Sequence, residues 1–352
     1  MNETCRPNGL MVNCSQGERC RRLLVSLGLL DGSRRIIRRD GDLIFPLKQV
    51  DGDRLAGICP PGSQLVRCEF EPRPARPRSL QEALGAILSK DDISLMGRSY
   101  DVIGRILVIA LPPPLLGRKH EIGEALLSWA PVETVAMKVS AISGERRLRG
   151  LEILAGKPSL ETIHAENGLR FKLDLAKVFF NPRLAGERAR VAGLAKDDDL
   201  VLDMFAGIGP FSISIAKSLR RDSARVYAVD KNDDAVRYLL ENIRLNRAWK
   251  VSARQGNSRI LVPQIAKEVG KFDRIIMNLP ESSFEFLRSA CAALKPGGHL
   301  HYYRLATRSA ARRQIQDELG SVGRFALETI REVESYSPSK SIFVADAIME
   351  SS

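Results

Sequence analysis

The run from Val201 to Ala216 constrains the fold more than any other stretch. It opens with apolar residues ending in Asp203, as expected of a strand buried on both faces. Gly207 and Gly209 follow at turn spacing, and from Phe211 to Leu219 apolar residues recur at helical intervals. Strand, glycine turn and helix in that order build a ligand-cradling crossover in a parallel sheet. Lacking Cβ atoms, the glycines let the backbone approach a ligand closely, and the helix N-terminus offers free N–H groups. A second acid, Asp230, ends the next apolar run, where it is placed to hold a ribose diol. An ordinary tight turn in an α/β sheet is the alternative reading of the same residues.

Beyond residue 195 strand and helix patterns alternate. Strands are predicted at 200–204, 225–229, 251–254, 272–277, 299–303 and 341–348, with a helix over 233–246. That order predicts a doubly wound, Rossmann-like sheet of the α/β class whose final hairpin adds an antiparallel strand. Upstream, residues 1–15 read as a polar, poorly ordered tail. A helix over 18–28 and strand-like runs at 35–38, 43–46 and 64–70 make a small α+β module. The proline- and arginine-rich stretch 71–78 has the composition of a semi-rigid linker. A middle α+β domain follows: a helix capped by Ser79, one strand over 100–111 bulged at Gly104, a helix over 121–128 and a strand at 134–139. Further strands at 151–154, 161–165 and 169–175 give it a meander-like end. The expected divisions are 1–72, a linker at 73–80, 81–194 and 195–352.

The chain carries 54 Lys and Arg against 42 Asp and Glu, a net charge of +12. Such an excess favours a polyanionic partner through phosphate contacts, although solubility alone is an alternative. No apolar stretch reaches the ~18 residues of a membrane span. The first residues lack a basic region followed by an apolar segment, so a cytoplasmic enzyme is expected rather than a secreted one. Five of the six cysteines are Cys5, Cys14, Cys20, Cys59 and Cys68. With no C-x2-C pair among them, reduced thiols are expected, a zinc site or a disulfide being the alternatives.

Asp203-Met-Phe-Ala-Gly-Ile-Gly209 departs from the GxGxxG of dinucleotide enzymes and is similar to the S-adenosylmethionine motif of class I methyltransferases. Together with Met277-Asn-Leu-Pro280 and Gly297-Gly-His-Leu-His-Tyr-Tyr303, it resembles the archaeal and eukaryotic tRNA (guanine-37, N1) methyltransferase family. Ile163-His-Ala-Glu-Asn-Gly168, Asp174-Leu-Ala-Lys-Val-Phe-Phe-Asn-Pro-Arg183 and Gly186-Glu-Arg188 extend the likeness, as do Gly28-Leu-Leu-Asp31 and Leu43-Ile-Phe-Pro46. Nearly the whole chain is covered. The resemblance implies a class I methyltransferase sheet, S-adenosylmethionine as cofactor, tRNA as partner, and a monomer without metal.

It also implies roles. Guanine N1 is a poor nucleophile until its proton leaves, so a carboxylate must take that proton and a cation must meet the charge developing on O6. By resemblance Glu187 is the base, Arg147 stabilises O6, and Asn278 orients the base edge. Cofactor contacts carry over to Asp203, Phe205, Ala206, Gly207, Gly209, Asp230, Asn257, Asn278 and Pro280. Substrate contacts carry over to Arg147, Arg149, Arg183 and Arg188. Three positions depart from common patterns. Glu281 stands where enzymes that methylate exocyclic amines carry an aromatic, which favours a ring nitrogen or carbon as target. Asp230 stands where Glu is commoner, and Asn257 where Asp is usual. The alternatives are an aminocarboxypropyl transferase of the same fold, added methylation at carbon 7 of a wyosine precursor, and a non-catalytic RNA-binding protein.

Overall fold

Two units build the chain, Met1–Arg78 and Ser79–Ser352. The computed structural model describes residues 8–48, 60–72, 77–96, 100–140, 150–221 and 225–351. Arg147, Arg149, Cys5 and Cys59 lie outside the described residues.

In the first unit β1 (Gly9–Asn13) precedes α1 (Gly17–Ser26), β2 (Ile37–Arg39), β3 (Asp42–Pro46) and β4 (Gln64–Val66). The antiparallel order β2-β3-β1-β4 puts β1 in the interior of the sheet. For residues 9–13 this corrects the reading of residues 1–15 as a polar tail; residues 1–7 lie outside the described residues. Leu10 and Val12 alternate inward and pack with Cys20, Leu24 and Phe45, but a five-residue strand between polar flanks leaves little periodicity to read. Gly28, at φ +68°, follows the end of α1 in the left-handed conformation its position suggested.

The second unit opens with α2 (Leu80–Gly85), capped by Ser79 Oγ accepting from Glu82 N at 3.1 Å, and α3 (Lys90–Leu95). Then come β5 (Tyr100–Ile103), β6 (Ile106–Ile109), α4 (Lys119–Trp129), β7 (Thr134–Lys138) and β8 (Leu151–Gly156). The single bulged strand expected over 100–111 is instead a hairpin. Gly104 sits at φ +56° in its turn, pinned by Thr162 Oγ1 on Arg105 N (3.0 Å) and His164 Nδ1 on Gly104 N (3.1 Å). The expected meander is also corrected. Strands β6 and β7 pair in parallel across α4, while β9 (Glu161–Glu166) and β10 (Leu169–Asp174) form a separate hairpin. Helix α5 (Ala185–Leu194) leads out of this region.

The large sheet follows as β11 (Leu200–Asp203), α6 (Pro210–Ser218), β12 (Arg225–Asp230), α7 (Asp233–Asn246), β13 (Val251–Gln255), α8 (Ser258–Val269) and β14 (Phe272–Met277). It ends with α9 (Leu287–Ala293), β15 (Leu294–Thr307), α10 (Ala311–Gly320), β16 (Phe325–Ser335) and β17 (Lys340–Met349). The order is β13-β12-β11-β14-β15-β17-β16, parallel except where β17 runs between β15 and β16. Strand β16 was not expected, because charged residues such as Glu328, Arg331 and Glu334 break up its apolar signal at the sheet edge.

Val201, Ile213 and Leu239 build the core on one face of this sheet, and Leu202, Ile275 and Leu300 the core on the other. The β9–β10 hairpin docks on α7 through two asparagines one turn apart. Asn242 accepts from Lys172 N (2.7 Å) and donates to its carbonyl (3.0 Å), and Asn246 does the same for Arg170 (2.9 and 2.6 Å). A helix thereby satisfies an edge strand as a neighbouring strand would.

Candidate active site

Ligands of open α/β sheets sit beyond the carboxyl ends of the strands where the order reverses, and here that point is β11, flanked by β12 and β14. A cavity of about 400 Å³ lies there. Its floor is the turn after β11. Ala206 N bonds Val229 O (2.9 Å), and Gly207 N donates to Asp230 Oδ2 (2.6 Å). Gly207 lies at φ +55°, and a Cβ there would enter open space. Gly209, at φ +91°, caps α6, and a Cβ there would collide with Leu239. One glycine keeps the cavity clear; the other lets the helix pack.

Of the expected cofactor contacts, Phe205, Ala206, Gly207, Asp230, Asn257 and Asn278 line the cavity. Asp203, Gly209 and Pro280, expected with them, are buried and do not line it. Asp203 is fully buried: Oδ2 accepts from Ser212 Oγ (2.6 Å), and Oδ1 has no hydrogen-bond partner. Burial, with the Asp230 charge adding to it, pushes the Asp203 carboxyl up to about 7. Asp230 is raised too, by burial, against the backbone N–H bonds it accepts. Asn257 Oδ1 caps α8 by accepting from Arg259 N (2.9 Å), so its side chain is structural as well as cavity-facing.

Asn278 follows the end of β14, and the next residues are tightly held. Ser283 Oγ bonds the carbonyls of Met277 and Leu279. Pro280 O accepts from Leu305 N (2.9 Å) and Arg304 Nη1 (3.2 Å), and Arg304 is braced by Glu318 (2.9 Å). Sequence reasoning missed Phe286, edge-on to Phe205 at 4.9 Å, and Arg259, stacked on Phe286 at 4.8 Å. Their only signal was a place shortly after strand ends.

The expected substrate residues separate. Glu187 and Arg188 lie in the first turn of α5, and both are buried. Arg188 forms a buried fork on Glu166, reaches Asn181 O (3.1 Å) and stacks over Phe180. With its guanidinium held by these partners it is a structural pillar, and it also lines the cavity. The Glu187 carboxylate is bound by Arg190, Tyr303 and Arg331. Burial pushes its pKa up, but those three hydrogen-bond donors outweigh burial and hold it below the usual value. Arg183 lines a second cavity of about 390 Å³ that shares Phe179, Phe180 and Asn181 with the first. Asp101 grips both Arg183 Nε (2.8 Å) and Lys138 Nζ (2.9 Å) on its wall. Among the described residues the cysteines Cys14, Cys68 and Cys291 are free, no His/Cys/Asp/Glu group could hold a metal, and no helix is long and apolar enough to cross a membrane.

Comparison with known proteins agrees with this geometry. Residues 162–323 match the TRM5/TYW2 methyltransferase domain, 80–159 the TYW2 N-terminal domain and 9–54 the tRNA methyltransferase 5 N-terminal domain. The chain is 42% identical to a tRNA (guanine(37)-N(1))-methyltransferase Trm5b of Pyrococcus abyssi, over 83% of this chain and 82% of that one. The Methanocaldococcus jannaschii Trm5b is 36% identical over 84% and 86%. A Pyrococcus horikoshii tRNA(Phe) (4-demethylwyosine(37)-C(7)) aminocarboxypropyltransferase is 36% identical over 65% and 78%. Among solved structures, a complex of aTrm5 with tRNALeu has a TM-score of 0.68 at 33% identity, covering 98% of this chain and 100% of that one. The chain belongs to the tRNA (guanine(37)-N1)-methyltransferase family, with a class I methyltransferase domain.

Proposed function

We propose that this enzyme transfers the methyl group of S-adenosylmethionine to N1 of guanosine 37, the nucleoside 3′ of the tRNA anticodon. One observation separates this reading from aminocarboxypropyl transfer. The solved Trm5 chains match 98% of this chain, first unit included, whereas a TYW2 structure from Pyrococcus horikoshii matches 79%. The residues present fit the cofactor: Gly207 leaves the floor open, Asp230 offers a carboxylate to a diol, and Asn257 stands on the wall for adenine. When bound, S-adenosylmethionine supplies an electrophilic methyl on a sulfonium.

The chain's own residues then do the rest. Asn278 holds the base edge at the end of β14. Glu187 takes the N1 proton, and Arg147 meets the negative charge growing on O6. Arg149 and Arg183 bind the RNA, which must present an unstacked base. Residues 1–72 recognise tRNA away from the reacting base, 73–80 link, 81–194 carry the RNA-facing part of the site, and 195–352 bind cofactor. The enzyme works as a cytoplasmic monomer.

The test is incubation of a tRNA transcript with methyl-labelled or carboxyl-labelled cofactor, followed by nucleoside mass spectrometry. Methyl label alone, in 1-methylguanosine at position 37, supports the proposal. Carboxyl label in the RNA overturns it in favour of the transferase, and no label in favour of a binder. A transcript carrying a wyosine precursor reads carbon 7 in the same assay.

A further inference from the structure

Glu187 ends a chain of hydrogen-bonded side chains drawn from α5, β15, β16 and β17. Its Oε1 accepts from Tyr303 Oη (2.7 Å) and Arg190 Nη2 (2.7 Å); its Oε2 accepts from Arg190 Nε (2.9 Å) and Arg331 Nη2 (2.9 Å). These donors come from α5, β15 and β16. Arg190 is held in turn by Asp346 of β17, through Nη1 (2.8 Å) and Nη2 (3.1 Å). Asp346 also accepts from Thr329 Oγ1 (2.9 Å) and meets His301 Nδ1 at 2.6 Å. His301 Nε2 faces Arg274 Nη1 at 2.7 Å, and Arg274 reaches Asp199 at 2.9 Å. Because Arg274 can only donate, we assign His301 as the neutral tautomer with its proton on Nδ1. Its burial, which disfavours the imidazolium, agrees.

Four contacts on one carboxylate leave it saturated, and a saturated carboxylate is a weak proton acceptor. We propose that Tyr303, Arg331 and the Asp346-anchored Arg190 are positioning residues that orient Glu187 and set how strongly it takes the guanine proton. His301 and Asp346 act one step further out, by keeping Arg190 in the plane of the Glu187 carboxylate. The inference rests on Glu187 being the base.

Single-turnover rates between pH 4 and 9 test it, with Tyr303→Phe and Arg331→Gln beside the parent enzyme. The base works unprotonated, so the parental rate falls only as pH drops below the usual glutamic acid range. Losing one donor raises the proton affinity of Glu187, so the acid limb of each variant should move up by about one pH unit. Cofactor affinity, titrated directly, should stay within about twofold. A uniform drop in rate with an unmoved acid limb means a purely structural role and overturns the proposal. Arg331 is half-exposed, so its variant decides the matter if Tyr303→Phe fails to fold. Glu187→Gln separates the two levels. Full activity in that variant refutes Glu187 as base, whereas an inactive Glu187→Gln with unmoved limbs in the other two refutes only the positioning chain.

Discussion

Replacing Asp203 with Asn tests whether the acid of the glycine-turn motif serves the cofactor or the fold. The carboxyl is buried behind the cavity wall, with Oδ1 unpartnered and its pKa raised from an ordinary 3.8 to about 7. A folded-state value above the unfolded one means the native chain binds this proton more tightly. The stability it contributes is therefore complete below pH 3.8 and lost as pH rises through about 7. At about 1.4 kcal/mol per pH unit the whole span is worth up to about 4 kcal/mol, of which about 2–3 kcal/mol falls between pH 5 and 8. Asn keeps the shape and the bond with Ser212 but cannot ionise. Urea unfolding of parent and variant at pH 5 and pH 8 gives the comparison. The variant should gain about 2–3 kcal/mol on the parent between the two pH values, with cofactor affinity changed by less than about threefold. Parallel pH dependence, together with lost cofactor affinity, would put Asp203 on the cavity wall and refute the reasoning.

Three further outcomes follow from the contacts. Arg188→Met leaves Glu166 buried without its fork, and thermal or urea unfolding should show a loss of about 3–5 kcal/mol; Glu166→Gln in the same chain should recover part of it. Gly209→Ala forces a side chain into φ +91° against Leu239, which should cost about 2–4 kcal/mol in the same measurement and weaken cofactor binding by calorimetry. Arg304→Gln removes the guanidinium that ties the Pro280 and Glu281 carbonyls to Glu318. With the turn after Asn278 loosened, steady-state kinetics should show kcat lowered about tenfold while cofactor KM moves little.

Local chemistry made half of this protein readable from its sequence. An apolar run, two glycines and a helical repeat defined β11, its turn and α6 without help from distant residues, and the helix over 233–246 was read to its ends. The cavity-facing Phe205, Gly207, Asp230 and Asn278 were legible for the same reason: each sits in or beside the end of a parallel strand, and such ends converge. Other features depend on partners far along the chain. Strand β1 is a strand because β3 and β4 flank it, and the hairpin at Gly104 closes on Thr162 and His164. Asn242 and Asn246 read as ordinary helical residues until β10 lies against them. The fork that Arg188 makes on Glu166, 22 residues upstream, leaves no signal near Arg188 in the sequence. The surroundings of Glu187 are the extreme case, with Tyr303 lying 116 residues away and Asp346 lying 156 from Arg190. Periodicity and turn residues act over a few positions, so a sequence displays them directly. Burial and ion pairing depend on which distant side chains the folded sheet brings together, and only the tertiary structure decides that.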